Sequence, residues 1–452
     1  MQEPAEPVDE EGFRLRAAAL LRGAANDLKR DDRAAAADLE ISAADFAAYA
    51  DGSRAIPAEL LRKAAAVWPV NESDLLPWRD DCPDGILVRT AAEAAATSRV
   101  LRRGGTDYYE YRDTAMSRLA GFRPEWIRML AVVDDDDPAH PAVRWNRGHL
   151  LYQFTYFVGP VNYYHREPDG DRILRMSTGD SVWGLPYAPH TFTSRNSAED
   201  AYILALTYGG ELLGDVQREL AALGPASAGC FPRSTAAGAF AALLRDFLDA
   251  AALPPGELSA RTGFPAERLA EFLEGLADPD PAETEALARA LRVPPRELMP
   301  VVTDGPGMIR HCPARAAREW LHPSADRAAY RIRELAGSSL HPHTRALEII
   351  PVPGAAPHDL RTYQHQYLYN VGGSPAEVHW RHGDRSGTAR LAHGDSAYLK
   401  PFTGFALTAE SAGCRVLSLR IGGRVTTESR FALGGMYPDS LPRYLRETGS
   451  WY

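Results

Sequence analysis

Apolar residues follow two rhythms along this chain, and each rhythm occurs twice. In residues 39–77 they recur every three or four positions and are interrupted at Gly52 and Pro57, which predicts short packed helices rather than strands. Residues 262–300 overlie that segment without a gap. Ile41 meets Phe264, Phe46 meets Leu269, Tyr49 meets Phe272, Gly52 meets Gly275 and Trp68 meets Leu291. After each helical stretch the pattern changes to short runs of Val, Ile, Tyr, Phe and Thr punctuated by Gly, Pro and Asp, as in residues 152–164 and 397–407. Those runs predict strands.

The strand regions also repeat. Tyr156-Phe157-Val158-Gly159 matches Tyr369-Asn370-Val371-Gly372, and Gly179-Asp180-Ser181 matches Gly394-Asp395-Ser396. The expected fold class is α+β: a tandem repeat of a helix-turn-helix module and a double-sheet β-barrel of the jelly-roll or cupin kind, a bicupin. Expected boundaries are 1–80 and 225–302 for the helical modules, 81–224 for the first barrel and 303–452 for the second. Pro- and Gly-bearing stretches at 81–85, 223–232 and 303–306 read as joints.

A chain of 452 residues is long enough for such a plan, and its charge of −10 opposes non-specific attraction to nucleic acid or anionic membrane. No apolar run reaches the ~20 residues of a membrane helix. The acidic start lacks a secretory signal, and Cys82, Cys230, Cys312 and Cys414 form no CxxC pair, so a cytoplasmic location is expected. Only three lysines, Lys29, Lys63 and Lys400, stand among the many arginines.

Helix-turn-helix modules joined to a cupin also occur in DNA-binding regulators. A reading helix needs Arg, Lys, Asn or Gln for base edges. Residues 42–49 offer one carboxylate and mostly methyl groups, and in residues 265–272 the acids outnumber the single Arg268. Packing or oligomerisation is the expected role, with a homo-oligomer and no nucleic-acid partner.

The first barrel carries the chemistry. His149 and Gln153 lie four apart, a spacing that shares one face on an extended strand, and the turn-rich segment 179–189 delivers His190 to the start of the next strand. Two imidazoles and a side-chain oxygen resemble a facial triad that leaves half of an iron(II) coordination sphere open. The third donor is a neutral amide rather than a carboxylate, which leaves the metal more positive and favours a dianionic chelating substrate. In the second copy Thr362 replaces His149 and Phe405 replaces His190, while Gln366 matches Gln153. No metal is expected there. His165, His311, His341 and His343 show no ligand-like partner, and His379 and His382 read as turn residues.

Upstream lie Arg103, Tyr108, Tyr109, Tyr111 and Asn146. On a regular strand only two of the three tyrosines share a face. The helix-turn-helix and cupin order, with R-x7-Y, a tyrosine three residues before that Y, and N-x-x-H, resembles the phosphonate-processing non-haem iron enzymes across essentially the whole chain. The resemblance implies Fe(II) as cofactor and 2-hydroxyethylphosphonate and O2 as substrates. It implies C–C cleavage to hydroxymethylphosphonate and formate, or alternatively to methylphosphonate, in a phosphonate natural-product pathway. It assigns phosphonate contacts to Arg103, Tyr108, Tyr111 and Asn146 beside His190, and a helical-module lysine to Lys29, for which a solvated helix end is an equal reading. Gln153 departs from the glutamate of the family's single-copy epoxidase. Tyr152, next to that ligand, is the expected catalytic control point, favouring the dioxygenase outcome. Lys400 reads as a surface residue.

Overall fold

The computed structural model describes residues 10–230, 238–302, 304–305, 307–440 and 444. The acidic start, the end of the 223–232 joint, and Thr303 and Pro306 lie outside them. One compact unit takes in the chain to Gly210, Ile309–Gly337 and the part from His343 onward; the other comprises Glu211–Met308 and Ser338–Pro342. No described helix is long and apolar enough to cross a membrane.

The helical modules repeat element for element. Asp32–Leu39, Ala43–Ala50 and Ala58–Val67 recur as Pro255–Thr262, Ala266–Glu274 and Pro281–Leu291, and the 3-10 turn Glu72–Leu75 recurs as Pro295–Leu298. Asp31 and Ser42 cap their helices by accepting from the Ala34 and Asp45 amides, each a contribution of about 1 kcal/mol. Phe46 and Tyr49 fill one core, and Leu269 and Phe272 fill the other.

Among the described residues each barrel pairs a seven-stranded sheet with a three-stranded one. The first large sheet runs Ile309–Cys312, Ser181–Gly184, Tyr152–Val158, Tyr202–Tyr208, Phe122–Met129, Thr106–Asp113, Arg99–Arg103. The second runs Ile86–Arg89, Ser396–Leu399, His365–Asn370, Val416–Ile421, Thr344–Pro351, Tyr330–Glu334, Glu319–His322. One of the two outermost strands of each sheet comes from the other half of the chain. Ile86–Arg89 pairs with Ser396–Leu399, and Ile309–Cys312 pairs with Ser181–Gly184.

That exchange corrects the expected boundaries. The segments 81–224 and 303–452 are not self-contained barrels, because each lends a strand that covers the other's open edge, where unpaired N–H and C=O groups would otherwise be exposed. The helix Asp215–Leu223, expected with the first barrel, belongs to the unit of the second helical module. The repeated Gly-Asp-Ser motif clamps the exchanged segments. Asp180 accepts from the Ala314 amide at 2.8 Å and Asp395 from the Ala91 amide at 2.7 Å. Ser181 accepts from Ala336 and Ser396 from Ala115. Buried Glu348 joins the barrels, receiving Tyr156 Oη and Arg333, each at 2.8 Å.

Buried histidines make this fold acid-sensitive. His365, 8% exposed, lies with Nδ1 2.7 Å from Tyr398 Oη, and burial pushes its imidazole down to about 4. The folded state therefore binds fewer protons than the unfolded one between pH 6.5 and 4. The stabilisation is complete above 6.5 and is lost as pH falls through that window, by up to roughly 3 kcal/mol for this residue. Denaturant titrations at pH 7 and pH 5 will show the loss, and His365→Gln will flatten it.

Candidate metal centre

His149, Gln153 and His190 converge inside the first barrel. His149 Nε2 lies 3.0 Å from Gln153 Oε1, and the two imidazole centroids are 5.3 Å apart with their planes at 88°. His149 and Gln153 do not share one face of an extended strand as the spacing predicts. His149 precedes the strand Tyr152–Val158, and a bend at residues 150–151 folds it back, with its Nδ1 2.9 Å from Leu151 O. Gly148 permits the approach: its φ is +74°, and a Cβ there would stand 2.5 Å from the Tyr187 backbone. Tyr187, itself left-handed at φ 62°, donates its amide to His149 O at 2.7 Å. The second barrel repeats that turn without the histidine, Phe402 at φ 63° donating to Thr362 O. The strained turn is scaffold common to both copies.

Each donor atom is aimed by a neighbour. Gln153 Nε2 donates to Thr155 Oγ1 at 2.8 Å, which turns Oε1 toward His149. His190 Nδ1 lies 2.9 Å from Ala188 O. Burial pushes the His190 ring down to about 4, so it is neutral at neutral pH. Asn146 Oδ1 accepts from the Gly148 and His190 amides, which fixes the amide so that Nδ2 points at His190 Nε2, 3.2 Å away.

These atoms fit a metal ion. His149 faces carbonyl-type oxygens at both ring nitrogens, and a neutral imidazole has one N–H to give. A cation at Nε2 satisfies the second oxygen. Adjacent donors around an octahedral ion with bonds of ~2.1 Å stand ~3.0 Å apart, the separation found between Nε2 and Oε1. Histidine ligands ordinarily have their other ring nitrogen tied to a carbonyl, as both do here. Among the described residues no group of three His, Cys, Asp or Glu side chains is arranged to hold a metal ion, so the amide is integral to the set.

Beside it lies a cluster of hydrogen-bond donors. Arg103 Nη1 donates to Arg144 O at 2.8 Å and to Thr191 Oγ1 at 3.3 Å, and its guanidinium covers the Tyr108 and Tyr109 rings. The hydroxyls of Tyr108 and Tyr109 both reach Thr191 Oγ1, at 3.1 and 3.0 Å. The expectation that only two tyrosines share a face is corrected by a β-bulge. The register shifts between Leu101 and Arg102, leaving Tyr108 as the extra residue and turning it inward with Tyr109 and Tyr111. Tyr111 packs edge-on against Tyr109, and burial, then Glu125, raises its pKa.

Two expected residues behave differently. Tyr152 lies on the opposite face of its strand from Gln153, because successive strand residues alternate. Its ring stacks on Trp183 and Tyr208, at 5.5 and 5.8 Å, so it does not face the triad and its assignment as a catalytic control residue is corrected. Lys29 follows the helix Glu10–Asp27 in left-handed backbone, its Nζ donating to Asn26 O at 3.2 Å. Lys400 is half-buried and ion-paired, with Asp80 at 2.6 Å.

Thr191 and Glu125 carried no expectation from the sequence, and His165 was expected to lack a ligand-like partner. Thr191 gathers the tyrosines and Arg103. His165 stands opposite His190 in the small sheet, stacked on Tyr163 and 3.3 Å from Glu167. Glu125 shares the inward face of Phe122–Met129 with Ile127 and Met129; burial raises its pKa, and it acts electrostatically on Tyr111. Both faces of that strand carry apolar residues, so alternation alone does not mark Glu125 as inward.

Comparison with known proteins bears on this geometry. No family model matches the sequence. The methylphosphonate synthase of Nitrosopumilus maritimus (strain SCM1) is 36% identical over 451 residues, covering 98% of this chain and 96% of that one. The Streptomyces albus 2-hydroxyethylphosphonate dioxygenase, solved with 2-hydroxyethylphosphonate and Fe(II) bound, superposes with a TM-score of 0.93 at 49% identity, over 98% of this chain and 99% of that one. Another 2-hydroxyethylphosphonate dioxygenase structure shares the fold at TM-score 0.75 and 19% identity, over 94% of this chain and 99% of its own. Similar along its whole length to both enzymes, the chain belongs to the bicupin family that contains methylphosphonate synthase and 2-hydroxyethylphosphonate dioxygenase.

Proposed function

We propose that this protein is an Fe(II)- and O2-dependent dioxygenase that cleaves 2-hydroxyethylphosphonate to hydroxymethylphosphonate and formate. The observation that carries the reading is the full-length match, at 49% identity, to the Streptomyces albus enzyme solved with that substrate and metal. Iron(II) held by His149, Gln153 and His190 supplies Lewis acidity and the electrons that activate O2.

The remaining roles belong to the chain. Gln153 contributes no charge, so the centre keeps its full attraction for a dianion. Asn146, with Oδ1 committed to two amides, has only N–H groups to offer a bound oxygen. Arg103 presents a planar fork to the phosphonate, with the Tyr108 and Tyr111 hydroxyls as further donors. Burial keeps the Tyr111 hydroxyl protonated. Lys29, whose Nζ also donates to Asn26 O, is a further contact for the phosphonate, in its own chain or in a second copy.

Methylphosphonate synthase is the second reading, because a relative of that name is 36% identical. Phosphorus NMR of the turnover mixture separates the two: hydroxymethylphosphonate as the main product supports the dioxygenase, and methylphosphonate overturns it. Tyr152→Phe will leave that product ratio within about twofold of wild type, since the ring stacks away from the triad. A switch in main product would restore Tyr152 as the control point.

A further inference from the structure

The second barrel contains a polar pair that its packing leaves unexplained. Gln366 stands at the position of Gln153, and Arg420 lies directly opposite it, where the first barrel has Thr207 opposite Gln153. Alternation puts Arg420 on the same face as Ser418 and Val416, and Gln366 on the same face as Leu368. Val416 and Leu368 belong to the barrel's apolar core, so the pair faces the interior.

Gln366 is fully buried, and neither its amide oxygen nor its amide nitrogen has a hydrogen-bond partner among the described residues. The same is true of the Ser418 hydroxyl and of the buried Nε and Nη2 of Arg420. Among the described residues no carboxylate pairs with that guanidinium. Glu348, which pairs with Arg333 and Arg415, points from the opposite face of its strand toward Tyr156 of the first barrel. The charged or titratable neighbours of Arg420 are Arg345, directly opposite it on the adjacent strand, and His322, with His358 beside it, and none of them carries negative charge.

A guanidinium does not shed its proton in a protein, and a buried charge without a counter-charge is costly enough that one is ordinarily supplied. We propose that the interior of the second barrel binds a small oxyanion, of the phosphate, phosphonate or carboxylate class, on Arg420, with the Gln366 amide and the Ser418 hydroxyl as further donors. Two parallel N–H groups of the guanidinium match two oxygens of such a group. The duplication explains the arrangement. The first barrel sets two imidazoles beside its glutamine, whereas the second, with Thr362 and Phe405 in their places, sets a fixed cation there. The inference does not depend on the reaction proposed for the first barrel.

Selenate, a tetrahedral oxyanion visible by anomalous scattering, will give a peak between Arg420 and Gln366 when soaked into crystals of the whole protein. Water alone at that position, with selenate bound elsewhere, would overturn the proposal. In solution, thermal unfolding of the metal-free wild type and of Arg420→Met is followed against inorganic phosphate and, separately, formate. Any response from the first barrel is common to both proteins. The variant will need at least tenfold more anion for the same upward shift; identical titrations with both anions would contradict the site. A difference with phosphate alone assigns a tetrahedral ligand, and one with formate alone assigns a carboxylate. Should Arg420→Met not fold, Gln366→Leu is read in its place, with the same tenfold loss expected and the same null shift counting against the site.

Discussion

His149→Ala and His190→Ala will each strip the first barrel of its metal, with Fe(II) affinity falling by more than the ~100-fold that loss of an outer-shell partner costs. Turnover will fall with it. Each imidazole offers a lone pair at Nε2 because its Nδ1 is committed to a carbonyl, Leu151 O for His149 and Ala188 O for His190. Anaerobic equilibrium dialysis against Fe(II), with metal content measured per chain, reads the effect without reference to activity. Thr155→Val is the graded companion. It removes the hydroxyl that accepts from Gln153 Nε2 and orients Oε1, so affinity should fall ~10–100-fold while the imidazoles stay in place. Wild-type affinity in either histidine variant would show that the ion sits elsewhere.

Arg103→Met will leave metal content unchanged and lower kcat/KM by several hundredfold, mostly through KM. Two charge-assisted hydrogen bonds to an oxyanion contribute about 3–4 kcal/mol together, and each 1.4 kcal/mol is a factor of ten. Arg103→Lys will recover only part of the loss, because a point charge cannot reproduce the fork. Steady-state kinetics with 2-hydroxyethylphosphonate at saturating O2 gives the split. A change confined to kcat, with KM unaltered, would move Arg103 from substrate binding to some other role. Arg103 also holds Arg144 O and Thr191 Oγ1, so the unfolding midpoint of each variant is measured alongside.

The sequence carried the large features because they rest on periodicity and duplication. The overlay of residues 39–77 on 262–300 put corresponding helices over 42–49 and 265–272, and helices run there from Ala43 to Ala50 and from Ala266 to Glu274. His149, Gln153 and His190 were legible because the second copy retains the turn and the glutamine but lacks both histidines. Strand pairing supports that alignment: His190 faces His165, and Phe405 faces Trp380 at the matching register.

What was not legible depends on contacts between distant segments or on single-residue irregularities. The exchange of Ile86–Arg89 and Ile309–Cys312 between sheets leaves no local trace, since a four-residue strand reads the same whichever edge it completes. The bulge at Tyr108 adds one residue to a strand and reverses the facing of everything before it, which alternation alone cannot anticipate. Tyr152 is adjacent to Gln153 in sequence but not in space, because successive strand residues point to opposite faces and its ring stacks on Trp183 and Tyr208. Glu125 and Arg420 went unnoticed because a lone charged residue in a strand usually faces solvent, and only the pairing register shows that both turn inward.

The most direct test is an anaerobic crystal structure of the Fe(II)-loaded protein, with anomalous data collected on either side of the iron edge. One iron per chain, bonded to His149 Nε2, Gln153 Oε1 and His190 Nε2, is the predicted result. Iron bound without Gln153, or an iron peak at any other set of side chains with these three apart, would contradict the account.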